Sequence, residues 1–147
     1  MEDVFIFEDM IGKKFDKVFQ HTSPSGEDFM IFEKDGLPEF IFYHAQDCCE
    51  SVYIEDVEGD LSDLSSGVII EAEEYSKEVE CDEYGEHTTY TFYKFSSTKG
   101  GVNIRWCGSS NGYYSERVDL FSLKGKDFWA TYHLTGLFKE LYPTLEV

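Results

Sequence analysis

Thr88-Thr-Tyr-Thr-Phe-Tyr-Lys-Phe95, then Lys99-Gly-Gly101, then Val102-Asn-Ile-Arg-Trp106 is the stretch that decides the fold. Aromatics alternate with threonines and a lysine through the first segment, a composition suited to a pleated, half-buried surface. The second segment alternates with period two. It sets Val102, Ile104 and Trp106 on one face and Asn103, Arg105 and Cys107 on the other. With a Gly-Gly turn between them, the two read as neighbouring antiparallel strands.

Working outward, Phe40-Ile-Phe-Tyr-His44 is apolar on both faces and reads as a central strand. Phe29-Met-Ile-Phe-Glu33 precedes it across Lys34-Asp35-Gly36, which carries an Asp-Gly hairpin signal. Lys17 to Thr22 and Val68 to Ala72 add two more strands, and Tyr113 to Leu120 reads as a last strand returning through Asn111-Gly112. Val4 to Ile11 reads as a short helix or turn closing at Gly12, and Asp60-Leu-Ser-Asp-Leu64 as a short helix with Asp60 as its cap. In the tail, Phe128, Trp129, Tyr132, Leu134, Leu137, Phe138 and Leu141 recur at three-to-four spacing, which predicts a helix over Asp127 to Leu141. Cys81 to Glu86 reads as an acidic loop.

Strands follow strands with few helical crossovers, so the expected class is α+β. The expected architecture is a mainly antiparallel sheet of about six strands with short helices and a C-terminal helix. The expected domain organisation is one β-rich domain over 1–120. A helical extension over 121–147 would pack on that domain or be swapped from it.

The 147 residues carry a formal net charge of −18, unevenly spread. Asp47 to Glu86 contribute −14, whereas His87 to Lys139 contribute +4. Such a surface repels bare nucleic acid and anionic membranes and attracts basic protein surfaces. Acidity that serves solubility alone is the competing explanation. No apolar run is long enough to span a bilayer, and Met1-Glu2-Asp3 lacks the basic start of a signal peptide. Both features point to the cytoplasm. The four cysteines, two of them adjacent, form no CxxC pair and are expected to be reduced.

Two polar stretches could carry chemistry. His44-Ala-Gln-Asp-Cys-Cys-Glu50 leaves the end of the central strand. A cysteine nucleophile there, Cys48 or Cys49 with His44 as base, would need both groups within hydrogen-bond reach. Zinc would want a different cysteine spacing. The structural alternative is a packed cysteine with His44 and Asp47 satisfying backbone groups. The second stretch is Arg105 to Arg117, containing Ser109, Ser110, Asn111, Tyr113 and Tyr114. Its arginines and tyrosines are the parts of a nucleotide pocket, or of an ordinary hairpin with cross-strand tyrosine pairs. The candidate ligand-binding set is therefore Arg105, Ser109, Ser110, Asn111, Tyr113, Tyr114 and Arg117, with His44, Asp47, Cys48 and Glu50. Glu55 to Asp60 lacks the EF-hand ligand pattern and reads as a solvated acidic turn. No cofactor or metal is implied.

These motifs also carry a resemblance. His44 to Asp56, Gly59-Asp60-Leu61 with Asp63-Leu64, Thr91-Phe-Tyr-Lys-Phe95, and Ile104-Arg-Trp-Cys-Gly-Ser-Ser-Asn-Gly-Tyr-Tyr-Ser-Glu116 occur in order. Together they resemble a family of small phage and prophage proteins of unknown function, over roughly Gly12 to Leu120. The family pattern reads Ile-Arg-Trp-Tyr-Gly where this chain has Cys107, so that position carries no essential role. The resemblance implies a phage-encoded protein acting in the cytoplasm of an infected bacterial host. By analogy it implies counter-defence.

Three function classes follow. The leading one is a non-enzymatic inhibitor that binds a host defence protein through an acidic surface. The second is a sponge for a nucleotide immune signal of cyclic nucleotide or cyclic ADP-ribose type, for which a homo-oligomer is plausible. The third is a small cysteine-dependent enzyme.

Overall fold

The computed structural model describes residues 3–79, 85–122 and 134–143. Its elements in chain order are α1 (Asp3–Met10), β1 (Lys17–Thr22), β2 (Asp28–Lys34), β3 (Leu37–Tyr43), β4 (Ser51–Glu58), a 3₁₀ turn (Leu61–Leu64), β5 (Ile69–Val79), β6 (His87–Ser97), β7 (Gly101–Ser110), β8 (Asp119–Ser122) and α2 (Thr135–Leu141). Among the described residues there are thus eight strands, not six. They form two four-stranded sheets, ordered β1-β2-β3-β8 and β4-β7-β6-β5. Every pairing is antiparallel.

The period-two pattern of β6 and β7 is realised as a pair running from His87 opposite Ser110 to Ser96 opposite Gly101. Tyr93, Phe95, Val102, Ile104 and Trp106 turn inward and are buried. They meet Phe32, Phe40 and Phe42 from the other sheet in a single core. The aromatic rings interlock across the sheets: Phe42 lies 4.8 Å from Tyr93 and 5.6 Å from Phe95 in edge-to-face contacts. The Asp-Gly hairpin joins β2 to β3 as expected, with positive φ at both Asp35 and Gly36. Asp60 caps the 3₁₀ turn by accepting from the Ser62 amide at 3.0 Å.

Phe40 to Tyr43 is central, as its two-faced apolarity requires. Phe40 and Phe42 enter the inter-sheet core, while Ile41 and Tyr43 join Phe29 and Ile31 on the opposite face. Leu134, Leu137 and Tyr142 cover that opposite face. Of the predicted tail helix, Thr135–Leu141 is helical and is α2; residues 123–133 lie outside the described ones. Residues 80–84, most of the expected acidic loop, lie outside them too.

Three expectations need correction. Tyr113 to Leu120 does not return beside β7: the chain leaves β7 at Ser110, runs without strand pairing, and enters the other sheet as β8 beside β3. An Asn-Gly turn permits a hairpin, but only side-chain burial decides which sheet the next strand joins. Ser51 to Glu58, part of which reads as an acidic turn, is strand β4, because Val52, Ile54 and Val57 pack on the core while its acids face solvent. Finally, Cys48 and Cys49 are joined as a disulfide between neighbours rather than remaining reduced thiols.

Candidate functional site

The segment after β3 is organised by one carboxylate. Glu50 accepts from the Asp47 amide at 2.8 Å, the Cys48 amide at 2.9 Å and His44 Nε2 at 2.7 Å. The His44 ring also donates through Nδ1 to the Arg117 carbonyl at 2.7 Å. The His44 and Glu50 side chains are both buried. Burial opposes ionisation of Glu50, but the hydrogen bonds from His44 and from the Cys48 and Asp47 amides outweigh it and hold its pKa down to about 2. Gln46 closes the same loop by donating to the Glu50 carbonyl at 2.6 Å. With His44 tied up by Glu50 and the two sulfurs joined to each other, the motif lacks both the free thiol and the free base that a cysteine nucleophile needs.

The His44 bond to the Arg117 carbonyl links the two polar motifs. It fixes the strand-free stretch that crosses from β7 to β8. Gly108 makes the crossing possible: a Cβ there would stand 2.7 Å from the Glu116 carbonyl oxygen and 3.2 Å from Val52 Cγ2. Because the clash is with backbone, Gly108→Ala is expected to cost about 1–3 kcal/mol by overpacking. Thermal denaturation would read this directly.

Glu116, once delivered, is the hub of a buried polar cluster. It accepts from Thr89 Oγ1 at 2.8 Å, from His87 Nδ1 at 2.8 Å and from Ser110 Oγ. His87 reaches Glu78 with its other nitrogen at 3.3 Å. Around this cluster lies a cavity of about 480 Å³. One wall is the inner face of β5 and β6, with Glu74, Ser76 and Thr91; the other is the crossing stretch, with Tyr114, Ser115 and Arg117. Glu74, Arg117 and Val118 also border an adjoining hollow beneath Ala72 and Leu120.

The outer face of sheet β4-β7-β6-β5 is different in character. Register places Tyr53, Cys107, Tyr90 and Lys77 in one row across it, and Asp56, Arg105, Phe92 and Tyr75 in the next. Tyr75 is 63% exposed and Tyr53 39%. Tyr75 and Phe92 are in ring contact at 5.4 Å. The face is rimmed by acids on both edge strands, Glu55, Asp56 and Glu58 on β4 and Glu71 and Glu73 on β5. The acidic run of the sequence is therefore split over both edges of one sheet, with the more basic strands β6 and β7 between them. Arg105 is paired with Glu55 at 2.6 Å, and Lys94 with Glu71 at 3.7 Å.

The expected ligand set is thus divided. Arg105 and Ser109 lie on the outer face, Arg117 and Tyr114 line the cavity on the inner side, and Tyr113 is 82% exposed. The two arginines cannot clamp one phosphate. Ser110 belongs to the Glu116 cluster, and Asn111 caps its own turn by accepting from the Tyr113 amide at 3.0 Å. His44 and Glu50 support the cavity wall from behind, while Asp47 and Cys48 stay in the exposed loop that Glu50 organises. His87, Thr89, Thr91 and Glu116 are what the sequence reading missed. Their signal was present: His87, Thr89 and Thr91 are polar residues at the inward period of a strand whose other inward positions, Tyr93 and Phe95, are core.

Among the described residues, no three metal-ligating side chains gather as an ion site, and no helix is long and apolar enough to cross a membrane. Compared with known proteins, residues 8–120 match a domain family described as a domain of unknown function, DUF7448. No curated protein and no solved structure matches the chain.

Proposed function

This chain belongs to the DUF7448 family, and we propose that it works by binding rather than by catalysis, docking a basic protein surface on the outer face of sheet β4-β7-β6-β5. The observation that supports this reading is that the two sheets are treated differently. The outer face of the β1-β2-β3-β8 sheet is closed by Leu134, Leu137 and Tyr142. The other sheet leaves Tyr53 and Tyr75 in solvent between two acidic rims. An aromatic centre with a charged rim is the usual anatomy of a protein interface. The rims specify the sign of the partner, because like-charged surfaces are rejected and basic ones are steered in.

Under this reading the partner presents lysines and arginines around an apolar centre. A nucleic-acid-binding or effector surface of a bacterial defence protein fits that description, and occupying it would block it. This is the counter-defence role that the phage resemblance implies, exercised in the host cytoplasm. Affinity for a partner purified from bacterial host extract is expected to fall at least tenfold between about 50 mM and about 500 mM salt, as screening shortens the reach of the acidic rims. An affinity independent of salt would remove the electrostatic basis of the proposal.

A further inference from the structure

The cavity beside Glu116 carries its own set of unspent groups, on the opposite side of the sheet from the docking face. Glu116 and His87 are saturated by their mutual bond and by Ser110, Thr89 and Glu78. Four groups are not. Arg117 makes no ion pair among the described residues, although it borders both hollows. Thr91 is only 5% exposed, lines the cavity, and its hydroxyl has no hydrogen-bond partner among the described residues. Glu74 holds the Tyr93 hydroxyl with Oε2 at 2.6 Å and leaves Oε1 over. Glu78 meets His87 with Oε1 and leaves Oε2 over at the cavity mouth, its side chain 74% exposed.

The Thr91 hydroxyl is held by a buried residue but opens into the cavity, where a bound molecule can meet it. Here it faces a cavity whose free groups are one guanidinium and two carboxylate oxygens. A phosphate ester would meet Arg117 but also the field of Glu74, Glu78 and Glu116, so a nucleotide is disfavoured. A simple cation would leave Arg117 unanswered and repelled. A molecule carrying an anion at one end and a cation at the other answers both. At about 480 Å³ the cavity falls within the range of small-ligand sites.

We infer that this cavity is a site for a small zwitterion of the basic amino-acid class, with its carboxylate on Arg117 and its side-chain cation on Glu74 and Glu78. Thr91 would donate to or accept from the ligand at the cavity floor, and the exposed flank of Tyr114 would cover it. The inference is independent of the docking face, which uses none of these residues.

Calorimetric titration of the full chain with free L-arginine and L-lysine tests it, with L-glutamate, glucose and adenosine monophosphate as comparators. Arginine or lysine is expected to bind, with at least tenfold loss in Arg117→Gln and a several-fold loss in Thr91→Val. Thr91→Val is isosteric and Arg117 is exposed, and thermal denaturation checks that the variants are folded. Absence of heat with both basic amino acids would overturn the inference. So would tighter binding of glutamate or the nucleotide, or arginine binding that both substitutions leave unchanged.

Discussion

Glu50→Ala is expected to destabilise the protein by about 3–5 kcal/mol, because three donors are left without their acceptor at roughly 1–3 kcal/mol each. His44 would face a void where the carboxylate stood, and the amides of Asp47 and Cys48 would lose their acceptor. The loss should be visible as a fall in Tm of roughly 10 °C, at about 2–4 °C per kcal/mol for a domain of this size.

The same group gives a pH signature. Its folded pKa of about 2 lies below the ordinary carboxylate value of 4.5. The unfolded chain therefore takes up the proton first on acidification. The stabilisation is complete above the unfolded value and is lost as pH falls from there toward about 2. Urea denaturation of the wild type should weaken through that window. Glu50→Gln should be less stable at neutral pH and should follow a flatter course through the same window. Parallel acid limbs for the two proteins would show that Glu50 is not the group responsible.

Phe42→Ala is expected to cost a similar amount, about 3–5 kcal/mol, by a different mechanism. Phe42 is 1% exposed and sits between the sheets, with Phe7, Phe32, Tyr93 and Phe95 all in ring contact. Those neighbours are anchored on three separate elements, α1, β2 and β6, so collapse around the missing ring is limited. The Phe42 cost should be nearly independent of pH, whereas the Glu50 cost should shrink on acidification. Chemical denaturation at neutral and acidic pH distinguishes the two, and equal pH dependence would contradict the assignment.

How far the sequence could be read depended on which force set each element. Period-two burial wrote β6, β7 and the two-faced β3 plainly, and local turn chemistry wrote the Asp35-Gly36 hairpin and the Asp60 cap. β4 was hidden because its acids equal its core residues in number and a bulge breaks its alternation: Val52 and Ile54 turn inward, Val57 follows beyond the bulge, and Glu55, Asp56 and Glu58 give the stretch the composition of a loop. The crossing from β7 to β8 was hidden because Asn111-Gly112 is a hairpin signal with no hairpin. What directs the chain to the other sheet is tertiary: the Arg117 carbonyl bonded to His44, and the space above Gly108 taken by Glu116.

The candidate sites were legible only in pieces for the same reason. Arg105 and Arg117 are near in sequence but fall on opposite sides of a sheet, while His87 and Glu116 are 29 residues apart and touch. The acidic run from Asp47 to Glu86 looked like one patch. Because β4 and β5 are the two edges of one sheet, it became two rims around an aromatic field.

That field is the centre of the functional account, and it can be tested with the triple variant Tyr53→Ser, Tyr75→Ser, Phe92→Ser. The decisive measurement is its affinity, beside that of the wild type, for a protein partner purified from bacterial host extract, at one low salt concentration. Circular dichroism would first establish that the variant is folded. The account predicts at least a hundredfold weaker binding by the variant, since aromatic anchors at an interface centre carry most of its binding energy. Equal affinity of the two proteins would contradict it and move the interaction to another surface.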